Sequence, residues 1–123
     1  MQINNNANLS FGMRIKNTEG LQTVLKYWER KGNLGKKAIG QLGKIKKLMN
    51  DSFELEIKDV AHGTAGQKPV SYCIRYNEDN IVFNGCSSSI TPYHFFKDLK
   101  KLVRHVKAEI TELKGAWAVV NRQ

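Results

Sequence analysis

The sequence predicts an α+β fold, an antiparallel sheet of three to five strands with helices packed on one of its faces. Several short segments alternate apolar and polar residues, which is the period of half-buried strands. Other segments repeat apolar residues every three or four positions, which is the helical period. The element order is β-α-α-β-β-β-α, and the 123 residues suit one domain over 9–120, preceded by a disordered arm at 1–8.

The first third of the chain predicts a strand and then a helix. Apolar residues alternate with polar ones over 9–16, so this segment is the first predicted strand. A side-chain oxygen of Asn17 or Thr18 can accept a hydrogen bond from the first turn of a helix. The helical spacing that follows predicts this helix over 19–31.

A second helix is predicted over 36–49. Its apolar stripe consists of Ala38, Ile39, Leu42, Ile45, Leu48 and Met49. Gly40 and Gly43 lie inside it, and each costs about 1 kcal/mol of helix propensity relative to alanine. We therefore expect another part of the backbone to pack closely against these two glycines.

Three strands follow in the middle of the chain. Phe53, Leu55 and Ile57 alternate with charged residues, which predicts a strand with one solvated face. The strands are predicted at 53–58, 70–76 and 81–83, with a loop at 61–69, a hairpin loop at 77–80 and a linker at 86–90.

The last helix has the clearest start signal. Thr91 is a good cap, and Pro92 fits the first helical position, where its missing N–H costs nothing. Its apolar stripe is Phe95, Phe96, Leu99, Leu102, Val103, Val106, Ile110 and Leu113. This stripe either packs on the sheet or pairs two copies of the chain, and its width favours the sheet. Gly115 is expected to end the helix, and 116–120 is expected to form a final strand or a docked apolar tail.

The charge of the chain is sorted by segment. Residues 35–50 hold five lysines and no acid, within a net charge of +9. The last helix carries a second basic arc opposite its apolar stripe. Such arcs neutralise phosphates and release counterions, or they simply solubilise the surface. The candidate nucleic-acid-binding residues are Lys36, Lys37, Lys44, Lys47, Lys97, Lys100, Lys101, Arg104 and Lys107.

Three families share parts of the element order. Gly32-Asn-Leu-Gly35 between two helices resembles the Gly-x-x-Gly loop of the K-homology domain, which clamps a nucleic-acid backbone. In this chain, however, no basic residue stands between the two glycines. Helix, three strands and helix over 36–114 is similar to a double-stranded-RNA-binding domain, but lacks the basic cluster at the start of its second helix. Strand, two helices and three strands is similar to the small basic RNase toxins of bacteria. No family is identified by these resemblances, and the glycine pair is predicted to be a turn between helices.

The chain lacks the common catalytic and cofactor motifs. No Cys-x-x-Cys, His-Glu-x-x-His, Walker-type or dinucleotide-binding glycine motif occurs, so neither a metal nor a cofactor is predicted. His62 with Cys73 or Cys86 is a weakly supported thiol–imidazole pair. Without an export signal or a membrane span, we expect a cytoplasmic location with free thiols, although spacing alone also permits one disulfide.

These patterns lead to three functional hypotheses. The first is a non-enzymatic module that binds nucleic acid, RNA or DNA, mainly through its phosphates. The second is an inhibitor or adaptor that binds an acidic protein surface. The third is a small RNase in which basic residues stabilise developing phosphate charge. The absence of a catalytic pattern favours the first two, and the two basic helices favour the first.

Overall fold

The computed structural model of the protein describes residues 12–61, 68–76 and 80–122 and shows the predicted α+β fold. Its elements are β1 (Arg14–Ile15), α1 (Glu19–Glu29), α2 (Asn33–Lys46), β2 (Phe53–Val60), β3 (Val70–Tyr76), β4 (Ile81–Ser87) and α3 (Pro92–Arg122). The strand order is β1-β2-β3-β4, in which β1 pairs parallel to β2 and the other pairs are antiparallel. The predicted arm at 1–8 and most of the two predicted loops, at 62–67 and 77–79, lie outside the described residues.

The first strand is shorter than predicted within the described residues. It comprises only Arg14 and Ile15, after a bend at Gly12. It runs parallel to β2 because two helices carry the chain back across the sheet before β2 begins. Thr18 caps α1, since its Oγ1 accepts a hydrogen bond from the Leu21 amide at 3.1 Å.

A turn joins the first two helices at 30–32, but the predicted turn of Gly32-Asn-Leu-Gly35 needs correction, because 33–35 already belong to α2. The two glycines have distinct roles. Gly32 precedes α2 with a φ of 62°, whereas Gly35 lies within the first turn of α2. A Cβ on Gly35 would lie 1.7 Å from the carbonyl oxygen of Trp28, so α1 and α2 can meet here only without a side chain. Helix α2 therefore begins at Asn33, three residues before the predicted start, and ends at Lys46.

The expected close backbone approach at Gly40 and Gly43 is wrong. Among the described residues, no atom outside the local helix lies within 4 Å of a Cβ built on either glycine. Ile39 and Leu48 also depart from the prediction, because both are exposed rather than part of the buried stripe. Much of the surface of α2 is therefore not covered by any of the described residues.

The core lies between the sheet and the helices. Phe53, Leu55 and Ile57 face the helices, as their alternation predicts. From α3, the buried residues are Phe95, Phe96, Leu99, Leu102, Val103, Val106 and Ile110. Their burial shows that this part of the stripe packs within the chain's own core. Trp28 is also fully buried and donates its indole N–H to the Ile90 carbonyl at 2.8 Å.

The C-terminal predictions need correction. Helix α3 begins at Pro92 as predicted, but it continues through Gly115 to Arg122, so 116–120 is helical and forms no final strand. Val119 in this segment is exposed rather than docked on the core. A single internal glycine costs only about 1 kcal/mol, and the alanines around it favour the helix. Strand β4 extends to Ser87, so the beginning of the predicted 86–90 linker belongs to the sheet.

Candidate functional site

Helices α2 and α3 lie next to each other, and a groove runs between them. Its central part has a volume of about 560 Å³. Uncharged residues Gly40, Gln41, Ile45 and Leu48 line it together with Lys37, Lys44 and Lys100. The centre is thus a partly apolar channel with lysines from both helices.

The groove continues at both ends. At the start of α3 it shares Gln41 and Lys100 with a hollow that is also lined by Pro92, Tyr93, Phe96 and Lys97. At the other end it shares Leu48 with a hollow lined by Lys47, Met49, Asn50, Phe53, Lys107, Ile110 and Thr111. We refer to these three connected hollows as the α2–α3 groove.

All nine basic residues singled out from the sequence are exposed. Six line the α2–α3 groove, namely Lys37, Lys44, Lys47, Lys97, Lys100 and Lys107. The other three, Lys36, Lys101 and Arg104, belong to the same helices but do not line it. Most of the two basic segments is therefore brought together on one surface.

The groove lysines have no acidic partners in the described part of the chain. None of the six forms an ion pair there within 4.0 Å. Lys37 to Lys47 and Lys97 to Lys107 each span about 15 Å along a helix at 1.5 Å per residue. The groove is thus lined by two rows of lysines for which the described residues provide no carboxylate within 4.0 Å.

The sheet face opposite the helices arranges its charges differently. Arg14 lies 3.7 Å from Glu54, its partner in the β1–β2 register. Glu56 lies between two cations, 3.7 Å from the Lys16 ammonium and 3.6 Å from the Arg75 guanidinium. These carboxylates are mostly shielded from solvent, and each cation stabilises one of them. This face is a cross-strand ion-pair network.

Neither Cys73, beside this network, nor Tyr72, on the core side of the sheet, has the properties of a nucleophile. Burial, and then the Glu56 carboxylate, raise the pKa of Cys73, which is the opposite of what a reactive thiol requires. Cys73 pairs across the sheet with Asn84 and Cys86 pairs with Ser71, and both thiols are free. Burial raises the pKa of Tyr72 to about 12, and its hydroxyl lies 2.8 Å from that of Ser87.

The described histidines have local structural contacts. The His94 Nδ1 lies 2.8 Å from the Thr91 hydroxyl, and the His105 Nδ1 lies 4.0 Å from a Glu109 oxygen. His62 lies outside the described residues. Within the described ranges, no group of three or more histidine, cysteine, aspartate or glutamate residues could hold a metal ion. No helix in those ranges is long and apolar enough to cross a membrane.

Sequence reasoning missed the uncharged part of the groove. The sequence predicts Leu48 in the buried stripe of α2, although half of it is exposed, and predicts no role for Tyr93. Tyr93, Lys97 and Lys100 follow each other at spacings of four and three, which places them on one side of a helix. This spacing was the available signal that Tyr93 belongs with the basic arc.

Comparison with protein-family models, curated proteins and solved structures finds no match to this chain.

Proposed function

We propose that this protein is a small non-enzymatic module that binds nucleic acid in the α2–α3 groove, mainly through phosphate contacts. The observation that carries the proposal is the convergence of six lysines from two helices on one groove, without ion-pair partners among the described residues. Unpaired like charges repel one another and contribute nothing to folding. A polyanion in the groove would offset that repulsion.

The form of the groove suits an extended anion better than a compact one. Two rows of about 15 Å each correspond to about four nucleotide steps at 3.4 Å per step. Lysine ammonium groups act as point charges and contact phosphates without reading bases. The proposed binding therefore has low sequence specificity.

The thiols support the proposed location. Cys86 is a free and exposed cysteine, and Cys73 is free and buried. Free thiols persist in reducing compartments, whereas exposed thiols oxidise outside them. We propose that the protein acts in the cytoplasm, where single-stranded and structured RNA are both accessible.

The proposal is tested by titrating the protein against duplex DNA, single strands and structured RNA at several salt concentrations. Six phosphate contacts predict that log K falls with log salt at a slope of about −4 for single strands and about −5 for duplex DNA. Binding that is undetectable at about 50 mM salt, or that is independent of salt, would contradict the proposal.

Two controls separate nucleic acid from the other partner and activity classes. Polyglutamate of matched charge should bind more weakly, and equal or tighter binding would indicate an acidic protein partner instead. RNA recovered from the titration should be intact. Cleavage by the purified protein, removed by the same substitutions that remove binding, would indicate an RNase.

A further inference from the structure

Tyr93 is a large, partly apolar side chain that the fold leaves uncovered. It is 70% exposed, although two buried phenylalanines, Phe95 and Phe96, lie only two and three residues after it in the first turns of α3. Those two rings fix this end of the helix to the core through edge and tilted contacts with Trp28. The packing of α3 therefore does not depend on Tyr93.

The surroundings of the Tyr93 ring are cationic. The Lys97 ammonium lies 5.9 Å from its centroid, within reach of a cation–π contact. The His94 ring meets it edge to face at a centroid distance of 5.2 Å. Tyr93 and Lys97 line the same hollow of the groove as Lys100. Lys100 lies about two helical turns after Tyr93 along α3.

An exposed aromatic ring beside phosphate-binding lysines has a known chemical use. Such rings stack unpaired bases, whereas the bases of a duplex are already stacked on each other. From this placement we infer that the α2–α3 groove binds single-stranded nucleic acid. An unpaired base stacks on Tyr93, and Lys97 and Lys100 contact the neighbouring phosphates. The inference rests on the proposed function and narrows it to one class of nucleic acid.

The contribution of base stacking to affinity can be separated from that of the phosphate contacts by comparing binding to strands with and without bases. The probes are fluorescently labelled single strands of mixed sequence, as DNA and as RNA, and an abasic DNA strand of the same length. Tyr93→Ala should weaken binding to both base-bearing strands by about five- to a hundredfold and leave abasic binding unchanged. Tyr93→Phe keeps the ring and should bind all strands like the parent.

Lys100→Gln is the matched control because it removes a phosphate contact. It should weaken binding to base-bearing and abasic strands alike and make the salt slope shallower by about 0.7, whereas Tyr93→Ala should leave the slope unchanged. Thermal melts should show both Tyr93 variants folded like the parent, since the side chain lies outside the core. Comparison of the DNA and RNA strands shows which sugar the site prefers.

The inference is overturned if Tyr93→Ala binds base-bearing strands as tightly as the parent does, or if the parent prefers a duplex to single strands. Either result leaves phosphate binding in the groove intact. Failure of the parent to bind any of the strands, including the abasic one, would instead overturn the proposed function and the inference with it.

Discussion

On the sheet face, the cations of Arg14, Lys16 and Arg75 each lie within 3.7 Å of a glutamate. In the α2–α3 groove, the six lysines have no such carboxylate among the described residues. Cross-strand register explains the charges on the sheet, because each pair stabilises the strands that carry it. No ion pair in the described fold involves the groove lysines, and our proposal assigns them to an external partner.

The largest effect on stability is expected in the hydrophobic core between the sheet and the helices. Leu99→Ala removes a fully buried side chain from the part of α3 that packs in the core and should destabilise the protein by roughly 2–5 kcal/mol, measured by urea unfolding. Leu113→Ala on the same helix is the control, because Leu113 is 37% exposed and should cost much less. Equal costs for the two variants would mean that the core does not centre on Leu99.

The glycines of α2 distinguish its buried side from its uncovered side. Gly35→Ala would push a Cβ into the Trp28 carbonyl and should destabilise by about 1–3 kcal/mol or more. Gly40→Ala and Gly43→Ala meet open space and should each stabilise by about 1 kcal/mol. Thermal or urea melts of the three variants measure whether each substitution lowers or raises the free energy of unfolding. Destabilisation by Gly43→Ala would show that part of the chain covers this side of α2.

The sheet network should contribute a smaller amount. Glu56→Gln leaves Lys16 and Arg75 without their shared carboxylate and should destabilise by up to about 1 kcal/mol, less at high salt. Substituting a groove lysine by glutamine should change stability by no more than about 0.5 kcal/mol. Urea melts at low and high salt compare the two. If the groove substitution were the more costly one, the groove charges would have a structural role.

Local periodicity predicted most of the fold. The alternation at 53–58 and 70–76 and the helix start at Pro92 each depend on neighbouring residues, and the structure confirms these two strands and this helix start. The sequence did not predict which glycine packs closely, because Gly35, Gly40 and Gly43 look alike until α1 and α2 are in contact. The sequence also predicts a helix end at Gly115, but the helix continues to Arg122. The helix propensity of the neighbouring residues exceeds the cost of one glycine.

The basic residues of the site could be predicted from the sequence, but their arrangement could not. Lysines off an apolar stripe are exposed in almost any fold, so their exposure follows from periodicity alone. Which of them line the groove depends on how α2 and α3 pack. This packing places Lys37 in the groove and leaves its neighbour Lys36 outside it. The groove lining by Leu48 and Tyr93 requires the same tertiary information.

The most direct test of the groove compares two triple variants that remove equal charge from the same two helices. Lys37, Lys44 and Lys100 line the groove, whereas Lys36, Lys101 and Arg104 do not. Each set is replaced by glutamine, and binding to a single strand is measured across a range of salt. The groove variant should lose most of the affinity, with a salt slope shallower by about 2, while the outer variant keeps a slope close to that of the parent. Equal losses in the two variants would show that binding follows the overall charge, and would contradict a site in the α2–α3 groove.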